Sequence, residues 1–186
     1  MALAISCLAA AAAVGQESGL GKAASEEQAA VFGGAGTRDA GADREQATLL
    51  RSIKPKVSGY LPAPLWIKLS SAFRVARERI RTMPGCSTLF TSRGVDGLEL
   101  LTRASFAGAA PERDQAACAG SAVARTEVGG RQIRLCPGFE ALSPSTAALV
   151  VIHEALHNAG MSEKPADPSG LTSREINRLV ERGCGH

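Results

Sequence analysis

The stretch "LSPSTAALVVIHEALHNAG", residues 142–160, decides the reading of this chain. It predicts one helix with both ends marked. Ser143 is a good N-cap, because its hydroxyl can accept from an unpaired N–H of the first turn. Pro144 fits the first helical position, where its missing N–H costs nothing. Gly160 supplies the left-handed residue that ends the helix. Between them, Leu149, Ile152 and Leu156 fall at i, i+3 and i+7 and predict a buried stripe.

The same helix carries two of the chain's three histidines, His153 and His157, with Glu154 between them. Their spacing sends both imidazoles from one helix face, one turn apart. Two ring nitrogens so placed reach one zinc ion at about 2.0–2.1 Å each. Glu154 is one step round, beside such an ion without binding it, where its carboxylate can take a proton. Zinc lowers the pKa of water from about 15.7 to about 7 and polarises a peptide carbonyl. Two ligands and a general base for amide hydrolysis thus occupy one turn of helix. The bland alternative is two histidines on an ordinary helix face beside a solvated glutamate. The scarcity of histidine elsewhere, the helix caps and the adjoining apolar stripe favour the metal site.

The third ligand is open. Glu163 fits a continuation of the motif, since "HEALHNAGMSE" reads HExxHxxGxxE. Glu175 opens the next predicted helix, "LTSREINRLVERGCG", and ranks first because a ligand on a helix is held more firmly than one on a proline-containing loop. It has a local alternative: Thr172 and Glu175 form a capping-box pattern, with Leu171 and Ile176 as a hydrophobic staple. Asp167, in the loop, is the third choice. His186 is read as a frayed end.

Upstream, "AVARTEVGGRQIRLCP" predicts a β-hairpin, with Val123 and Val128 in the first run, Ile133 and Leu135 in the second, and a turn at Gly129-Gly130. "IKLSSAFRVARERIRTM" predicts a helix burying Leu69, Phe73, Val75, Ile80 and Met83, stopped by Pro84-Gly85, with a solvated basic outer face. "GLELLTRAS" is ambiguous between strand and helix. "DREQATLLRSI", from Asp43, has a helical pattern. The fold class is therefore α+β: a small domain with a short antiparallel sheet or hairpin packed on the histidine helix.

From about Ile133 to Cys184 the chain resembles secreted bacterial zinc metallopeptidases of the zincin group. "IRLCPGFEALS" running into "VVIHEALH" is similar to the layout of deuterolysin-like and lysine-specific metalloendopeptidases. The resemblance implies a zinc-dependent metalloendopeptidase acting on a peptide or protein substrate. His153 and His157 would be ligands, Glu175 or Glu163 would complete the site, and Glu154 would be the base. It also implies that the strand around Arg131–Cys136 offers its edge to an extended substrate. Tyr60, the chain's one tyrosine, is a candidate to assist an oxyanion, although a structural role fits it better.

The rest of the composition narrows the setting. Residues 1–15, "MALAISCLAAAAAVG", are uncharged, small and apolar, and end in the small-x-small pattern of a signal-peptidase site. Export to the periplasm or outside is expected, and the segment is too short to span a bilayer. Residues 16–43 hold few large apolar side chains and read as a flexible linker or pro-segment, leaving 44–186 as the domain. Cys86, Cys118, Cys136 and Cys184 remain, an even number that favours two disulfides of open connectivity. A net charge of +3 and seven aromatic residues argue against nucleic-acid binding. The competing reading is a disulfide-stapled, non-catalytic secreted binding module with a structural metal, which would need four protein ligands.

Overall fold

A computed structural model describes residues 53–185 apart from 111, 113, 117, 120 and 121. The expected leader, the linker and the helix predicted from Asp43 lie outside the described residues. These form an α+β unit of five α-helices and a four-stranded sheet. Strand β1 (Lys56–Val57) leads into helix α1 (Ala63–Thr82), then α2 (Pro84–Thr91) and α3 (Gly97–Arg103). Strand β2 (Ser105–Gly108) follows, then β3 (Ala124–Thr126) and β4 (Gln132–Leu135). A 3-10 turn (Pro137–Ala141) leads to helix α4 (Pro144–Asn158), and α5 (Ser173–Cys184) comes last.

Helix α1 buries Leu65, Leu69, Ala72, Phe73, Ala76 and Ile80, a three-to-four spacing that makes one continuous face. Val75 and Met83, expected in that face, are only partly buried. Small Ala72 and Ala76 let α1 lie along α4. Pro84 ends α1 as expected but also opens α2, where proline suits the first turn. "GLELLTRAS" resolves into both structures. Asp96 caps α3 by accepting from the Glu99 N–H, and β2 begins at Ser105.

Helix α4 has the predicted ends. The Ser143 hydroxyl accepts from the Thr146 N–H, and Gly160 has φ +87°. Its buried surface is wider than the predicted stripe: residues 151–157 are all buried, while Leu149 is only partly so. The reason is its central place, with α1 on one side and α5 and β3 on others.

The sheet is mixed, which corrects the expectation of an antiparallel one. Its order is β1-β2-β4-β3, with β1, β2 and β4 parallel and β3 antiparallel to β4. Parallel neighbours need a long crossover, and the chain from β1 to β2 supplies one through three helices. The β3–β4 hairpin matches the prediction, except that Val123 precedes β3 and Val128 lies in the turn, 51% exposed. That turn docks on the site helix, since the Gly129 N–H donates to the His157 carbonyl at 2.9 Å. Strand β4, expected to offer an edge, is paired on both sides, and the hairpin's edge is β3 instead.

Two disulfides join Cys86 to Cys184 and Cys118 to Cys136, across 98 and 18 residues. Loop-closure entropy assigns them about 4.7 and 3.2 kcal/mol respectively. Replacing Cys86 and Cys184 by alanine is therefore expected to lower the melting temperature more than replacing Cys118 and Cys136, by roughly 5–10 °C. Thermal unfolding followed by circular dichroism measures this, and the reverse order would contradict the assignment.

Candidate metal centre

Three acceptor atoms converge at the C-terminal half of α4. His157 Nε2 lies 3.0 Å from Glu163 Oε2 and 3.1 Å from His153 Nε2. His153 Nε2 is 3.8 Å from the same carboxylate oxygen. Ligands held tetrahedrally at zinc-like bond lengths are about 3.3–3.4 Å apart, close to all three separations. Among the described residues, this group of His153, His157 and Glu163 can hold a metal ion.

The outer hydrogen bonds fix the ring tautomers. His157 Nδ1 is 2.7 Å from the Met161 carbonyl, which can only accept, so Nδ1 carries the proton and donates. His153 Nδ1 donates likewise to Asn177 Oδ1 at 2.7 Å. With each ring neutral, both Nε2 atoms are bare acceptors, facing each other and a carboxylate. Such a cluster calls for a cation, a proton or a metal ion, and two imidazoles with a carboxylate are donors that fit a metal. Burial, and secondarily His157, hold the His153 imidazole below its ordinary pKa, which keeps it neutral and able to ligate.

The fold brings Glu163 in by a pinned loop. Beyond Asn158 the chain reverses at Gly160, whose positive φ suits glycine, and Met161 N–H donates to the Leu156 carbonyl. Glu163 then bridges Leu171 in parallel fashion, and the Lys164 N–H donates to the Leu171 carbonyl at 2.9 Å. Gly170 permits this closure: a Cβ there would meet the Ser162 carbonyl at 2.8 Å and the Glu163 nitrogen at 2.9 Å.

Glu175 is placed elsewhere, reversing the expected order of the two glutamates. Its Oε2 accepts from the Thr172 N–H at 2.7 Å and hydroxyl at 2.8 Å, completing the capping box of α5. Those two bonds hold its carboxyl below the usual pKa, and it stays exposed. Asp167 is also committed, accepting from the Ser169 hydroxyl at 2.6 Å and N–H at 2.9 Å, with its pKa lowered to about 2 chiefly by that hydroxyl. Tyr60 is 83% exposed and lines a different cavity. His186 lies outside the described residues.

Glu154 sits beside the cluster without joining it. It is 7% exposed, and its Oε2 has no hydrogen-bond partner. Burial raises its pKa to about 7, against the opposing pull of His157, the Thr126 hydroxyl and Arg125. The Thr126 hydroxyl is near enough to act on it but makes no hydrogen bond of normal geometry. Glu154, the two histidines and Glu163 line an open cleft of about 540 Å³ together with residues of β3 and Lys164–Ala166.

Sequence reasoning missed Asn177 and the Met161 carbonyl. An asparagine on a polar helix face carries no signal until α5 packs against α4, and a backbone carbonyl carries none at all. Asn177→Leu leaves the His153 N–H without its acceptor. Metal affinity is expected to fall about 10–100-fold, read by competition with a chromophoric chelator, while Asn177→Asp keeps it. Equal affinity in all three proteins would reduce Asn177 to a packing role. Compared with family models, with curated proteins and with solved structures, the chain matches none.

Proposed function

We propose that this chain is a zinc-dependent metalloendopeptidase, held by His153, His157 and Glu163 and using Glu154 as general base. The observation that carries the reading is the pairing of a three-donor cluster with a buried carboxyl, one of whose oxygens has no hydrogen-bond partner, in one open cleft. Two imidazoles and one carboxylate are a donor set that suits zinc and leaves one position free. Zinc bound there supplies Lewis acidity, polarising a substrate carbonyl and acidifying water.

The chain's own residues do the rest. Glu154, placed beside the cluster, takes a proton from the attacking water and returns it to the departing amine. The hydrogen bonds from Nδ1 of both histidines keep their Nε2 lone pairs aimed into the cleft. Strand β3, last in the sheet order and lining that cleft, offers backbone groups to an extended peptide. A zincin-like layout is part of this reading, and it rests on HEALH, on Glu163 after the reversal at Gly160, and on that edge strand.

Two disulfides support an exported protein, since oxidising compartments preserve them. Among the described residues no helix is long and apolar enough to cross a membrane. The competing structural-metal reading is less well supported, because it needs four protein ligands and three converge among the described residues. The test uses purified protein and an unfolded, casein-like substrate. Cleavage is expected with zinc, is abolished by a chelator and returns when zinc is restored. Cleavage that ignores the chelator would defeat the reading.

A further inference from the structure

Two buried oxygens beside the metal cluster lack a partner. Thr126 Oγ1 and Glu154 Oε2 are both shut off from solvent, and neither has a hydrogen-bond partner. Burying a polar atom in that state costs free energy, so each such atom calls for a reason. Their chemistry is complementary, because a hydroxyl can donate and an ionised carboxylate can only accept. The fold also turns them toward each other. Thr126 ends strand β3 and stands across from Ile133 of β4, which is fully buried. Residues opposite each other in a ladder share one face of the sheet, so Thr126 is on the core side. Ala124, two residues before it, is on that face too and is buried. Helix α4, which carries Glu154, packs against β3 in the same core. Both residues line the one cleft, and the hydroxyl is near enough to act on the carboxyl.

From this juxtaposition we propose that Thr126 is a positioning residue, its hydroxyl donating to Glu154 Oε2 in the working complex. The inference rests on the peptidase reading for its catalytic consequence. Hydrogen bonds to a catalytic base are often long in the free enzyme and tighten once substrate is in place. A bond to Oε2 fixes the plane of the carboxylate and leaves Oε1 for the proton of the attacking water. The base then needs no reorientation before it acts. Thr126 belongs to the strand that receives the peptide, so docking of substrate and alignment of the base share one element.

Thr126→Val keeps the side chain's shape and removes the donor, whereas Thr126→Ser keeps the donor. With zinc-loaded protein and a casein-like substrate, turnover by Thr126→Val is expected to fall about tenfold. KM is expected to stay within about twofold and zinc affinity to stay unchanged, and Thr126→Ser is expected to recover most of the turnover. Unchanged turnover in Thr126→Val, or a raised KM with turnover intact, would overturn the proposal. A second readout needs no activity. Thermal unfolding of metal-free protein at pH 8 compares Thr126→Val alone with the same change on Glu154→Leu. With the carboxylate present, losing the donor is expected to lower the melting temperature by about 3–6 °C. On Glu154→Leu the hydroxyl is itself the orphan, so removing it is expected to be neutral or stabilising. Equal drops in both backgrounds would reduce Thr126 to a packing role and overturn the pair. A coupled pair in a wild type that cuts nothing would sink the peptidase reading and leave the contact standing.

Discussion

Replacing Glu154 by glutamine is expected to remove peptide hydrolysis while leaving zinc bound. The variant keeps the side chain's shape but cannot take a proton. General-base catalysis contributes about 10²–10⁴-fold, and a loss of that size is expected in the turnover of an unfolded substrate. Zinc affinity stays close to wild type, because Glu154 lies outside the three-atom cluster. The same variant has a second signature in the metal-free protein. Burial lifts the Glu154 pKa from 4.5 to about 7, so the fold favours the protonated form. That contribution is complete below pH 4.5 and is lost as the pH rises through about 7. The loss has an upper bound of about 3 kcal/mol. Metal-free Glu154→Gln is therefore expected to melt above wild type at pH 8 and not at pH 4. Retained activity would sink the assigned role, and equal shifts at both pH values would sink the burial argument.

Glu163→Gln is expected to lower zinc affinity by more than about 100-fold, since losing a direct ligand exceeds the roughly 10–100-fold typical of outer partners. Activity at limiting zinc falls with it. Glu175→Gln gives the contrast. Its carboxylate serves the α5 cap, so the melting temperature drops modestly while zinc binding and hydrolysis persist. Equilibrium dialysis of both variants decides between them. Zinc lost in Glu175→Gln and kept in Glu163→Gln would reverse the assignment.

How much of this was legible follows from how local each feature is. Helix α4 was readable because its caps, Ser143 and Gly160, act on neighbours a few residues away. His153, Glu154 and His157 were readable because helical spacing alone puts them together. The choice between Glu163 and Glu175 was not settled by rigidity, since the loop argument assumed an unsupported Glu163. Its support comes from Leu171 and from the close approach that Gly170 permits, and neither shows as a pattern. The capping box of Thr172 and Glu175 was visible, and it already occupied the carboxylate that ranked first.

The sheet divides in the same way. The β3–β4 hairpin has a local turn and was predicted. The pairing of β4 with β2, and of β2 with β1, joins distant segments, so no local pattern shows that β4 is an inner strand. Helix α2 was hidden because Pro84-Gly85 marks the end of one helix and the start of another with the same two residues.

Diffraction from zinc-loaded crystals, recorded at the zinc absorption edge, locates the metal and its ligands. One anomalous peak is expected about 2.0–2.2 Å from His153 Nε2, His157 Nε2 and a Glu163 carboxylate oxygen, with a remaining position open toward Glu154. No peak among these residues, or a peak that takes Glu175 in place of Glu163, would contradict that assignment.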